Sequence, residues 1–163
     1  KLFSIGIEKI VLSAALFDNP KIVDQISKTY GAQSVVASID FRVTPFKKLA
    51  VYRANGKVKT SFFLKDFVHR CENLGVGELL IQDINNEGSF NGTNAKAILQ
   101  IRDSTSLPII WGGGIGNLNH IKDTVNNGCD ALSIGSFFLF KGKHDALMLD
   151  YPTRAQIKAI FDE

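Results

Sequence analysis

Cysteine and histidine are scarce in this sequence. The chain has 163 residues but only two cysteines, Cys71 and Cys129, which are too far apart in sequence for a CxxC motif. The three histidines are dispersed and show no metal-ligand spacing. Thiols in this arrangement are typical of reduced cysteines in a cytoplasmic protein. The sequence therefore predicts no disulfide, no metal site and no cofactor.

The sequence also lacks a charge excess of one sign and a long apolar run. Nineteen Lys and Arg stand against 16 Asp and Glu and are scattered, so no basic patch for nucleic acid is evident. The apolar opening KLFSIGIEKIVLSAALF is interrupted at Glu8 and Lys9, before it reaches the length of a signal-peptide core or a membrane span. We expect a soluble cytoplasmic protein that binds neither nucleic acid nor membrane.

What the chain does contain is a regular alternation of short apolar strands and amphipathic helices. The strands are apolar on both faces, as in a parallel sheet covered by helices; they are predicted at 9–14, 34–40, 78–83, 107–112 and 130–135. A typical helix follows Asn19, a cap candidate, and Pro20, and stops at Gly31. The turn residues Ala54-Asn55-Gly56 predict a hairpin that departs from this pattern. These features indicate one α/β domain of about five βα units.

The stretch LPIIWGGGIGN, residues 107–117, places several glycines at a strand end. It does not fit a Rossmann fingerprint, because the sixth position from Gly112 is Asn117, and the chain has no P-loop. The next strand also ends in a glycine, in IGSFF, residues 134–138. Glycine-rich ends on the last two strands are typical of the phosphate site of a (β/α)8 barrel. The alternative is that these glycines only let helices pack closely on strands.

Asp40 is the candidate catalytic residue, because it lies at the end of the very apolar strand SVVASID. A carboxylate at the mouth of a barrel is partly desolvated, which raises its pKa and suits it to general acid or base chemistry. The alternatives are a helix cap or a salt bridge to Arg42. The polar loop INNEGSFNGTN, residues 84–94, follows the next strand and could fold over a substrate.

Several segments together resemble the cyclase subunit of imidazole glycerol phosphate synthase. They are GIEKIVLSAALFDNP, VVASIDFR, LGVGELLIQDINNEGSFNGTN, LPIIWGGGIGNLNHI and DALSIGSFFLF, in this order. The resemblance implies a (β/α)8 TIM barrel with two phosphate sites. It also implies a partner glutaminase, whose ammonia is used to close an imidazole ring on a bis-phosphorylated ribulosyl-aminoimidazole carboxamide substrate, in histidine biosynthesis.

The same resemblance assigns residue roles. Asp40 matches the family's second catalytic aspartate, at the end of its strand five. Residues matching the phosphate and substrate contacts are Ser13, Asn85, Glu87, Gly88, Gly113, Gly114, Gly135 and Ser136. Lys9 and Glu78 match a salt-bridged gate that admits ammonia through the barrel floor, although solvation of charges at strand starts is the alternative. Glu8 matches an acidic contact to the glutaminase.

The sequence departs from the family in two places near the substrate. The loop that typically reads Ile-Asp-Arg-Asp-Gly-Thr is Ile-Asn-Asn-Glu-Gly-Ser at residues 84–89, and Ser13-Ala14 replaces an Asn-Thr pair. The tail FFLFKGKHDALMLDYP, residues 137–152, resembles a paralogous branch that supplies ammonia for amidation of surface-polysaccharide (lipopolysaccharide) sugars. Three alternatives remain. The first is that paralogue, the second is a non-catalytic phosphosugar-binding scaffold that docks a glutaminase, and the third is a barrel isomerase of histidine or tryptophan synthesis.

The resemblance places residues 1–163 on strands four to eight of the family barrel, as a single partial domain. Five βα units cannot close an eight-stranded barrel, and two strand edges would be exposed. We expect either a longer polypeptide or another chain that covers these edges, and we expect the isolated 163-residue chain to be inactive in cyclisation.

Overall fold

The computed structural model describes residues 2–141, 146–147 and 151–161. The strands are β1 Ile10–Leu12, β2 Val35–Val43, β3 Leu49–Arg53, β4 Val58–Phe63, β5 Glu78–Asp83, β6 Ile109–Gly112, β7 Ala131–Ser133, β8 Phe140–Lys141 and β9 Ala146–Leu147. The α-helices are α1 Ala15–Asp18, α2 Pro20–Tyr30, α3 Leu64–Asn73, α4 Ala95–Arg102, α5 Leu118–Asn126, α6 Ser136–Leu139 and α7 Arg154–Ala159. Short 3-10 helices span Phe3–Ile5 and Ala32–Ser34.

Five strands pair in parallel and follow chain order across the sheet: β1, β2, β5, β6 and β7. This confirms the predicted α/β alternation of five βα units. The strands β3 and β4 form the predicted hairpin, which pairs antiparallel with the carboxyl-terminal half of β2. Because β3 pairs with Asp40 to Val43, β2 extends three residues beyond the predicted strand.

The alternation of side chains divides the parallel strands into two faces. On β2 and β5 the odd-numbered residues are buried against the helices; Val35, Ala37, Ile39, Leu79 and Ile81 belong to the main core. The helices contribute the other side of that core, including fully buried Leu64 and Phe67 of α3. The even-numbered residues therefore lie on the opposite face, which is the interior face in a barrel.

The outer edges of the parallel array are formed by β1 and β7. Each pairs with one neighbouring strand in the described part of the chain, β1 with β2 and β7 with β6. Val11, on the interior face of β1, is 58% exposed. An incomplete barrel explains this exposure, because in a closed barrel both edges would be paired and the interior filled.

Asn19 occupies the N-cap position of α2 and Pro20 is the first residue of that helix, as predicted. The side chain of Asn19 makes no capping hydrogen bond, however. The N–H of Ile22, in the first turn of α2, donates instead to the backbone carbonyl oxygen of Asn19, 3.1 Å away. That N–H therefore needs no side-chain partner.

Candidate functional site

The parallel register brings four residues into one row at the carboxyl ends of the strands. Asp40 is paired with Gln82, Gln82 with Gly112, and Gly112 with Ser133. All four occupy the interior face, since each lies at an alternate position from the core-facing residues. This row therefore presents, in order, a carboxylate, a side-chain amide, a backbone without a side chain and a hydroxyl group.

Asp40 is half-buried, and its burial raises the pKa of the carboxyl above the ordinary value for aspartate. Neither structural alternative for this residue is found among the described contacts. The guanidinium of Arg42 lies over the ring of Tyr52, 5.0 Å from its centroid, and not against Asp40. A desolvated carboxyl of this kind is suited to exchange a proton with a bound molecule.

A small pocket lies beside this row, where the loops after β5, β6 and β7 meet. We call it the mouth pocket. Six of the residues predicted to bind phosphate or substrate line it: Glu87, Gly88, Gly113, Gly114, Gly135 and Ser136. Residues from three separate loops therefore converge as the sequence analysis expected, although their phosphate-binding role remains a prediction.

The glycines of the mouth pocket differ in whether the fold requires a glycine at their positions. Gly113 and Gly114 have φ values of +96° and +93°. A Cβ on Gly113 would run into the backbone of Asp83 at the end of β5, and one on Gly114 into the backbone of Gly92. The N–H of Gly92 also donates to the carbonyl oxygen of Gly114, at 2.8 Å. Gly135 differs, because a Cβ there would meet no atom within 4 Å. The fold therefore requires Gly113 and Gly114, but it places no steric demand on Gly135.

Glu87 contributes a carboxylate to the wall of the mouth pocket. Its Oε2 accepts a hydrogen bond from Nε2 of Gln82. The side chain of Gln82 crosses over Gly112, where a Cβ would collide with it. Gly112 is thus needed for the position of Gln82, and Gln82 in turn holds Glu87.

Asn85 and Asn86 pack back onto the end of β5. The fully buried carboxylate of Asp83 accepts hydrogen bonds from Nδ2 of Asn86 at 2.8 Å and from the backbone N–H of Asn85 at 3.3 Å. Burial raises the pKa of Asp83, and these hydrogen bonds oppose the rise. Asp83 and Asn86 therefore shape the loop that carries Glu87 and Gly88.

Sequence reasoning assigned no role to Asp83 or to His120. The structure shows that Nδ1 of His120 accepts a hydrogen bond from the N–H of Gly116, 3.1 Å away, and that the ring packs beside Gly92. His120 therefore joins the loops after β5 and β6. The signal available for Asp83 was an Asp followed two and three residues later by Asn, a pattern that favours local side-chain turns.

Lys9 and Glu78 form an ion pair at the opposite end of the strands. Nζ of Lys9 lies 2.8 Å from Oε2 of Glu78, whose side chain is 17% exposed. Glu78 is four residues before Gln82 on β5, which corresponds to about 13 Å along a strand. Glu8 is exposed next to this pair, and Ser13 is exposed after β1, outside the mouth pocket.

Within the described residues, no group of three or more His, Cys, Asp or Glu side chains is arranged to hold a metal ion. None of the helices in the same part of the chain is long and apolar enough to cross a membrane. Both cysteines are buried as free thiols, and burial raises each pKa to about 12.

The fold and the loops at its carboxyl edge define an α/β protein of the TIM-barrel class. The family described as "Histidine biosynthesis protein" matches residues 1–145, so the chain belongs to that family and is HisF-like within it.

Three relatives illustrate the similarity. The chain is 34% identical over 163 residues to the "Putative imidazole glycerol phosphate synthase subunit HisF" of Leptospira borgpetersenii, covering 99% of this chain and 64% of that relative. It is 32% identical over 160 residues to "Putative imidazole glycerol phosphate synthase subunit hisF3" of Vibrio vulnificus (97% and 62%). It is 34% identical over 136 residues to "Imidazole glycerol phosphate synthase subunit HisF" of Thermotoga sp. (83% and 53%). The chain therefore spans at most 64% of the length of these relatives.

Proposed function

We propose that the protein carrying this chain is a cytoplasmic ammonia-using cyclase. It closes an imidazole ring on a phosphorylated ribulosyl-aminoimidazole carboxamide, with ammonia from a partner glutaminase. The observation that carries this proposal is the register of the sheet, which aligns the desolvated Asp40 with the glycine-lined mouth pocket. The buried free thiols support a reducing compartment.

The mouth pocket supplies the binding part of the proposal. Backbone N–H groups and the hydroxyl of Ser136 hold one phosphate of the substrate, since no side chain obstructs the backbone at Gly88, Gly114 and Gly135. This phosphate anchors the substrate along the row that begins with Asp40. Asp40 then serves as general acid or base for the proton transfers of ring closure, a role that its raised pKa favours.

The ion pair of Lys9 and Glu78 supplies the entry for ammonia. It closes the amino-terminal end of the interior face, opposite to the mouth pocket. In this proposal the glutaminase docks at that end, near the exposed Glu8, and ammonia travels along the interior face to Asp40. We expect the isolated 163-residue chain not to close a ring, because within the described residues no strand pairs with the outer edges of β1 and β7.

The test is an assay of ring closure with ammonium as the nitrogen source, on the protein that carries this chain and its Asp40→Asn variant. Asp103→Asn is the matched control, because Asp103 is exposed at the far end of α4. Turnover is expected to fall at least a hundredfold in Asp40→Asn, following the usual contribution of a general acid or base, and to persist in the control. Phosphate binding is expected to remain in both.

Unchanged turnover in Asp40→Asn would remove Asp40 from the chemistry. Absence of turnover in the unmodified protein, with phosphate and glutaminase binding intact, would favour the non-catalytic scaffold.

One observation supports a second candidate, the paralogue that passes ammonia to a separate sugar-modifying enzyme. The observation is the loop after β5, where Asn86 is bonded to Asp83 and Asn85 offers an amide that cannot exchange protons as a carboxylate does. Residues 142–145 and 148–150 of the tail that carries this resemblance lie outside the described residues. Stimulation of the glutaminase without consumption of the imidazole precursor would support this candidate.

A further inference from the structure

A second pocket lies on the outer surface between α1, the β3–β4 hairpin and α3. We call it the hairpin pocket. Its cavity of about 450 Å³ falls in the size range of small-ligand sites. It shares no lining residue with the mouth pocket. All of its walls come from elements between α1 and α3, including the edge strand β4.

Three cations line the hairpin pocket: Arg53, Lys59 and Arg70. Arg53 is paired with Asp18, whose Oδ1 lies 2.9 Å from its Nη1. Lys59 is exposed on the edge strand β4 and has no ion pair among the described residues. The lining of the pocket holds these three cations and no carboxylate, so its potential is positive and attracts anions.

Arg70 carries a buried hydrogen-bond donor without a partner among the described residues. This donor is its Nε. Its guanidinium lies over the ring of Phe62, 5.5 Å from the centroid. A guanidinium held against a ring is oriented in advance, and its N–H groups are suited to bind a phosphate at two points.

The remaining wall of the hairpin pocket is aromatic. Phe17 and Phe62 both line it, and both pack against Phe67, with ring centroids 4.6 Å and 5.1 Å from that of Phe67. Phe67 is fully buried in the core. The two lining rings are therefore fixed from behind and remain partly exposed. Since Arg70 lies over the ring of Phe62, Phe17 is the ring on which a flat ligand can stack, with Phe62 beside it.

We propose that the hairpin pocket binds a small organic phosphate that carries a flat ring, such as a nucleoside monophosphate. Arg70 and Lys59 hold the phosphate, and Arg53 adds charge beside them. Phe17 and Phe62 pack against the ring of the ligand. Inorganic phosphate would contact only the cations, and a nucleoside would contact only the aromatic rings. Each is therefore expected to bind more weakly than the complete ligand.

To test this, the protein that carries this chain is titrated with adenosine monophosphate in a calorimeter. Ser136→Asp is introduced first to repel phosphate from the mouth pocket. In that background we expect binding to one site per chain. Arg70→Gln, which shortens the side chain and removes its charge, is expected to weaken binding at least tenfold, and Arg70→Lys less. Lys57→Gln is the matched control, because Lys57 lies in the adjacent turn outside the pocket and its loss is expected to have no effect.

A second variant covers the case in which Arg70→Gln does not fold. Lys59→Glu changes an exposed residue on an edge strand and is likewise expected to weaken binding at least tenfold. Unchanged affinity in the folded variants would overturn the proposal. Loss of binding in Ser136→Asp alone would also overturn it, because the ligand would then belong to the mouth pocket. A third contrary result would be that inorganic phosphate, or adenosine, binds as tightly as the nucleotide.

Discussion

Gln82 donates a hydrogen bond from Nε2 to the carboxylate of Glu87, so a neutral amide holds the negative charge on the wall of the mouth pocket. No cation within the described ion pairs neutralises Glu87. A phosphate bound in this pocket therefore experiences repulsion from a nearby carboxylate.

Replacing Glu87 with Gln should tighten phosphate binding in the mouth pocket. The variant removes one negative charge while keeping a side chain that can bond to Gln82. The expected gain is about fivefold, since two charges a few ångströms apart in water interact by roughly 1 kcal/mol. Isothermal titration with inorganic phosphate measures it, with Asp103→Asn as a control for net charge. Weaker binding in Glu87→Gln would mean that this carboxylate orients the site instead of repelling its ligand.

Variants of Gly135 and Gly114 can show whether the glycines of the mouth pocket are needed for packing of the fold or for binding of phosphate. Gly135→Ala should leave the free energy of unfolding within about 0.5 kcal/mol of the unmodified protein, since the added methyl meets no atom. It should weaken phosphate binding at least tenfold, because the methyl group covers the backbone. Gly114→Ala should destabilise the fold by about 2 kcal/mol or more, given its positive φ and the clash with Gly92. Urea unfolding and phosphate titration of both variants provide the comparison. Unchanged phosphate affinity in Gly135→Ala would favour a purely structural origin of these glycines.

Asp83 makes stability depend on pH in a specific direction. Burial raises its pKa in the folded state, so folding takes up a proton between the ordinary and the raised pKa, and the free energy of unfolding falls as pH increases through that interval. In Asp83→Asn this contribution is absent, so the variant should gain stability relative to the unmodified protein as pH increases. Asn86→Ala should steepen the dependence, because it removes a hydrogen bond that favours the ionised form. Urea unfolding from pH 4 to pH 8 tests both variants, and the opposite sign in Asp83→Asn would contradict the assignment.

Lys9 and Glu78 should contribute little to stability as a pair. Lys9 is more than half exposed, so a double-mutant cycle should give a coupling free energy of about 1 kcal/mol or less. Lys9→Met alone should cost more than Lys9→Met with Glu78→Gln, because the single variant leaves the less exposed carboxylate unpaired. In the proposed cyclase, Lys9→Met should alter glutamine-dependent turnover more than ammonium-dependent turnover. A coupling well above 1 kcal/mol would instead mark the pair as structural.

The sequence was sufficient to predict the order of the strands and the convergence of loops at the mouth pocket. The reason is that apolar runs on both faces, such as 34–40 and 78–83, fit a covered parallel sheet, and parallel strands bring their carboxyl ends to one edge. Strand limits were less predictable. The length of β2 depends on its pairing with β3, a tertiary contact that local pattern does not encode.

Individual side-chain partners were the least predictable part. Asn19 occupies the N-cap position that its residue type favours, but its backbone carbonyl oxygen, and not its side chain, accepts the N–H of Ile22. His120 lies in a helical pattern, yet its ring reaches a loop from another βα unit. The hairpin pocket is also a tertiary feature, because Arg53, Lys59 and Arg70 converge only when the hairpin packs beside α3.

The division of each strand into a core-facing set and an interior set also makes this scaffold suitable for redesign. Ser38, Leu80, Ile110 and Ala131 form one row across four strands and lie apart from the buried helix-facing core. A combinatorial library confined to this row would change the lining between the two ends of the strands while leaving the helix contacts untouched. The size and polarity of the interior lining become adjustable independently of the forces that keep the chain folded.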